Sequence, residues 1–218
     1  KRILMQYDFI TIDIEGDISS AKCHLDFTED TLYRDPDTIM WLCSFYTGNE
    51  QIAYGIRLPP APRQYFSPKY KCWKSTEDGW HNPDNKFPKE VTDCGSCINE
   101  ADYIKFLEAI SSVINHCYDK GYKVYFKGYK EKGKRDSYDR EVISKYMKKY
   151  NIDCHTECLV DVYDEFPYIW MKPTHRQRNQ NTNNQDWMNN GIRHNLEDSK
   201  ELWEAINRRK QPYRPVTL

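Results

Sequence analysis

The chain lacks any stretch approaching the roughly 20 consecutive apolar residues of a membrane-spanning helix, which excludes a helical membrane protein. No signal-peptide pattern opens it. Without that route to an oxidising compartment, its eight Cys are expected to be core thiols or zinc ligands. The expected location is intracellular, cytoplasmic or nuclear. Lys rather than Met at position 1 suits a piece of something longer. Internal repeats are absent. Net charge is nearly absent too, at −1, but the halves differ. Residues 1–119 carry 12 Lys and Arg against 19 Asp and Glu, whereas residues 120–218 carry 20 against 14. Such asymmetry suits a protein that holds both cations and a polyanion, and it also fits ordinary surface variation.

What is present suffices for one domain. Of 218 residues, 39% are hydrophobic and 14% aromatic, enough for a substantial core. Residues 7–13 (YDFITID) are apolar and β-branched, and predict a buried strand. Residues 39–46 and 51–58 predict two more, joined by a turn at Thr47-Gly48-Asn49-Glu50. Residues 59–99 are Pro-rich and aperiodic, and are expected to form an insertion or long loop. Helical spacing returns at Glu100, with Asn99 placed to cap and Gly121 to terminate. A strand at 123–127, a helix at 138–150 and a strand at 158–162 follow. Residues 177–190 hold nine Asn or Gln and predict a loop able to act as a lid. A last helix is expected from about His194 to Ile206. A hairpin-type triplet followed by alternating helices and strands implies an α/β fold with a mixed five-stranded sheet.

Three signals bear on chemistry. Asp13-Ile14-Glu15 ends the first strand, and residues two apart on a strand share a face, so two carboxylates converge there. Such a pair is uncomfortable without a cation, although a solvated strand end would look the same. Tyr138-Asp139 opens a helix, where an acidic residue is favoured by the helix dipole alone. Gly191-Ile192-Arg193-His194-Asn195-Leu196-Glu197-Asp198-Ser199 places His and Asp one turn apart at the entry to the last helix. The combination resembles the DEDD (DnaQ-like) 3′→5′ exonucleases, on motifs spanning Tyr7 to Asn207. Asp13 and Glu15 match the first motif and Asp139 the second. His194 and Asp198 match the third, where the His subclass (DEDDh) often reads HNALEDA and this chain reads HNLEDS. Three residues separate His194 from Asp198, which is the spacing of the sibling subclass that uses Tyr.

The resemblance implies an RNase H-like fold and hydrolysis of phosphodiester bonds at 3′ ends of single-stranded or frayed DNA or RNA. Asp13, Glu15, Asp139 and Asp198 would hold two Mg²⁺ or Mn²⁺ ions, and His194 would accept a proton from the attacking water. The residues agree: four carboxylates are an oxygen donor set for hard divalent cations. Asn195 is expected to cap the last helix, leaving His194 in the mobile loop before it. Lys130, Lys132, Lys134 and Arg135 could grip phosphates, Tyr138 could stack on a base, and Arg193 could close over a strand. The same Lys could equally be a solvated face. Cys94-Gly95-Ser96-Cys97, with Cys72 and His81 upstream, has spacing for a structural Zn²⁺, although CxxC pairs can be plain thiols. Cys154-His155-Thr156-Glu157-Cys158 is a second candidate ligand source. Two alternatives stand beside the exonuclease: a catalytically inactive nucleic-acid-binding module on the same fold, and an RNase H-like endonuclease.

Overall fold

The computed structural model describes residues 8–18, 38–57, 62–67, 72–79, 86–97, 99–131, 134–136, 138–169 and 184–210. Its main sheet starts from β1 (Phe9–Ile18), where the apolar run takes extended form. Alternate residues of β1 separate by face. Ile10, Ile12 and Ile14 enter a core with Phe106, Leu107 and Ile110, while Thr11 and Asp13 bond to the last helix on the opposite side. Strands β2 (Thr38–Tyr46) and β3 (Gln51–Arg57) complete an antiparallel meander. Its turn closes with the Thr47 amide donating to the Glu50 carbonyl at 3.0 Å. Gly48 sits at φ +96° in that turn, a conformation that favours glycine.

Hairpin β4 (Pro62–Ser67) with β5 (Cys72–Gly79) forms a separate two-stranded sheet. Strand β6 (Thr92–Ser96) then runs parallel to β3 and makes a sixth strand in the main sheet. The expected count of five is therefore corrected, and the stretch 59–99 is not simply an insertion. Sequence TDCGS has no apolar alternation; its pairing with β3 comes from tertiary context, with buried Val91 just before it.

Helix α1 (Glu100–Asp119) begins where expected, the Asn99 side chain accepting from the Ala101 amide at 3.0 Å. Strand β7 (Lys123–Phe126) lies parallel to β1, and Val124, Tyr125 and Phe126 are all buried, as in a strand covered on both faces. A small hairpin follows, β8 (Tyr129–Glu131) with β9 (Lys134–Asp136), and then α2 (Tyr138–Lys149). Strand β10 (Leu159–Asp161) pairs parallel to β7, and a short α3 (Val162–Glu165) follows. The sheet order is β10-β7-β1-β2-β3-β6, a mixed sheet with α1 and α2 in one core cluster and the last helix bonded to the other face.

That last helix, α4 (Asn184–Lys210), overturns two expectations. It starts ten residues before His194, so residues 184–190 of the Asn/Gln-rich segment are helical rather than loop; residues 177–183 lie outside the described residues. Its inner seam runs Ile192, Asn195, Ser199, Leu202, Ile206, the spacing of one helical face, all buried. The middle of that seam, Asn195 and Ser199, is polar, and its two ends are apolar. Gly191 meets Trp41, which a Cβ there would approach to 3.2 Å. Among the described residues no helix is long and apolar enough to cross a membrane.

Candidate active site

Strand β1 carries Asp13 and Glu15 on one face just before a register shift between Glu15 and Gly16. Such irregularities locally redirect a strand and often adjoin functional sites. Glu15 is buried and Asp13 partly so. Helix α2 brings Asp139 in its first turn, and α4 brings His194 and Asp198. These residues come from three separate elements, and their charges act on one another. Burial raises the Asp13 carboxyl well above the usual range, and Asp139, Asp198 and Glu15 each push it further. The Asn195 amide opposes this, donating to Asp13 Oδ2 at 2.6 Å.

Asp198 is raised to about 6, first by burial, while His194 and Lys127 pull it back and Glu15 and Glu201 add to the rise. His194 Nε2 lies 3.4 Å from Asp198 Oδ2. Among the described residues, the other oxygen, Asp198 Oδ1, is buried without a hydrogen-bond partner, as is Asn195 Oδ1. Both are acceptors that burial ordinarily requires to be satisfied. Among the described residues no three His, Cys, Asp or Glu side chains form a group that could hold a metal ion as they stand.

His194 does not lie in a loop capped by Asn195. It sits inside α4, four residues before Asp198, so the two share a face. The expected loop placement is corrected: the helix continues through Asn195, whose backbone carbonyl accepts from Ser44 Oγ at 3.1 Å.

Sequence reasoning missed the polar seam that fixes α4. Thr11 Oγ1 donates to the Ser199 carbonyl at 2.6 Å, Gln51 Nε2 donates to Ser199 Oγ at 2.9 Å, and Ser44 Oγ lies within hydrogen-bond distance of Ser199 Oγ at 3.0 Å. Three strands thus hold one turn of helix beside Asp13. Lys127 was also missed as a neighbour of Asp198. Its position just past β7 was the one signal for it. Gly128 follows because the Asp161 carboxylate occupies the place a Cβ would take. Asp161 itself is structural, accepting from the Tyr163 amide at 2.9 Å to cap α3.

Lys130, Lys134 and Arg135 stand on the β8–β9 hairpin, with Lys130 directly opposite Arg135. Their side chains, that of Tyr138 and the whole of Lys132 lie outside the described residues. Arg193 is exposed on α4 and lines a cavity of about 570 Å³ with Gln51, Glu90, Ile192, Leu196 and Lys200. Of the proposed zinc set, His81 and the Cys72 side chain are outside the described residues. Cys94 and Cys97 pack partly buried against the core, and burial pushes each thiol up to about 11. Cys154 and Cys158 are likewise at about 11, and His155 pairs with Glu157 at 2.9 Å while stacking on Tyr118.

No protein-family model matches the chain, and no curated protein matches it in sequence. Function is therefore argued from the site itself.

Proposed function

We propose that this chain is a divalent-metal-dependent 3′→5′ exonuclease on an RNase H-like fold. The observation that carries the reading is that α4 meets the acidic face of β1: Asn195 donates to Asp13 at 2.6 Å and His194 and Asp198 stand on the same helix. Beyond the effect of burial, the acids of β1, α2 and α4 together raise the Asp13 carboxyl. Folding brings four acids together against electrostatic repulsion, which a structural role does not require. The antiparallel triplet continued by two parallel strands supports the fold, and β6 adds a sixth strand that the element order did not imply.

The donor chemistry suits the metal, although among the described residues the acids do not stand as a ready-made metal group. Carboxylate oxygens suit Mg²⁺ or Mn²⁺, and the unpartnered Asp198 Oδ1 is an acceptor that a cation would satisfy. Asp13, Glu15, Asp139 and Asp198 would hold two ions, which supply an activated water and stabilise the leaving 3′-oxygen. His194, fixed on the same helical face as Asp198, orients the attacking water and accepts its hydrogen bond. Lys127 beside Asp198 contributes positive charge where the phosphate approaches. The basic hairpin provides the further cations that a single-stranded or frayed substrate needs.

The test uses 5′-labelled DNA and RNA oligonucleotides with Mg²⁺ or Mn²⁺. A ladder shortening from the 3′ end is expected, abolished by EDTA and by Asp13→Ala or Glu15→Ala with the fold intact. Internal cuts would replace this reading with an endonuclease, and binding without cleavage would replace it with an inactive binding module.

A further inference from the structure

Asn195 is wholly buried in the middle of a helix, where Asn is a poor former and an unsatisfied amide oxygen is costly. Its placement is nonetheless fully determined. Ser44 holds its backbone carbonyl, Ser199 one turn later is held by Thr11 and Gln51, and its side-chain nitrogen reaches Asp13 Oδ2 at 2.6 Å. An apolar residue of the same size would remove the unpaired oxygen and suit the helix better. What the amide does that such a residue would not is donate to the Asp13 carboxylate. It occupies one oxygen of Asp13 and leaves the other uncommitted to it.

We infer that Asn195 is a positioning residue for Asp13. By tying down Oδ2 it fixes the carboxylate's rotation and determines which oxygen remains for cations, while its own unpaired Oδ1 is an acceptor for a hydrated ion. Partners of this kind, one bond removed from a metal, typically change its affinity by roughly 10- to 100-fold. The inference rests on the metal-dependent reading of the site.

The experiment measures Mn²⁺ affinity by calorimetry without nucleic acid, and Tm in EDTA, for wild type, Asn195→Leu and Ser44→Ala. Leu matches Asn in size and favours the helix. Asn195→Leu is expected to weaken Mn²⁺ binding about tenfold or more, whatever its Tm in EDTA. Ser44→Ala loosens the same seam while leaving the Asn195–Asp13 hydrogen bond in place, and is expected to lower Tm with Mn²⁺ affinity within about twofold of wild type. Mn²⁺ affinity unchanged in Asn195→Leu overturns the inference, and so does an equal loss of Mn²⁺ affinity in Ser44→Ala. A wild-type protein that binds no Mn²⁺ instead overturns the metal reading on which the inference rests.

Discussion

Asp198 sits under conflicting demands. Burial lifts its carboxyl to about 6, while His194 and Lys127 favour the ionised form. A carboxyl raised above its unfolded value binds its proton more tightly when folded. The folded state therefore loses stability relative to the unfolded one as pH rises from about 4 to about 6, then levels off. Asp13, raised for related reasons, adds to the same trend. In EDTA, Tm should fall across this window. Asp198→Asn should remove part of the fall and raise Tm at pH 8, while abolishing cleavage. A Tm that rises from pH 4 to 8 in EDTA in the wild type, and does so equally in Asp198→Asn, would contradict the burial of this acid. Asp13 and Glu15 were legible in the sequence because strand alternation alone puts both on one face. Asn195 was not: beside His and Asp it read as a cap, and only the fold reveals that its side chain turns back to a strand 182 residues away.

Helices and strands were legible to different degrees for physical reasons. Helix α1 announced itself because Asn99, the apolar stripe and Gly121 are local signals that agree. The start of α4 was hidden because residues 184–190 have little apolar content to mark a face; the helix there continues a segment anchored by Ile192, Asn195 and Ser199. Strand β6 was hidden for the reason given by its sequence, five residues without alternation that pair only because β3 offers an edge. The position of His194 inside α4 carries a functional consequence. On a rigid helical face, a side chain of similar reach can take its place. His194→Tyr should retain activity within about tenfold, whereas His194→Ala should lower kcat by roughly two orders of magnitude, the lower end for such a group. Measuring kcat against pH for all three proteins decides the role. A His194→Tyr enzyme as inactive as His194→Ala, with an acidic limb in the wild-type profile, would make proton abstraction by imidazole the essential step instead.

At the scale of the whole molecule, charge is distributed with the chemistry. The acidic pair lies on β1 in the acidic half of the chain, and the basic half supplies residues 120–149, with 11 Lys and Arg against four Asp and Glu. That block folds into β7, the β8–β9 hairpin and α2, so the hairpin leaves the sheet just after Lys127 and returns just before Asp139. Lys127 acts on Asp198 and Asp139 acts on Asp13, so both feet of the hairpin stand at the carboxylate cluster. Lys130 stands directly opposite Arg135 in the register of the hairpin. Neutralising Lys130, Lys132, Lys134 and Arg135 together should raise KM several-fold and leave kcat within about twofold, because these residues would bind rather than react. The slope of log affinity against log salt should flatten by about 0.7 for each phosphate of a single strand that the hairpin no longer neutralises. Titrating a fluorescent oligonucleotide at several salt concentrations, with the Asp13→Ala protein to prevent turnover, measures that slope directly. An unchanged slope would reduce the hairpin to a solvated surface and move the search for the strand-binding cations to Arg193 and Lys200 along α4.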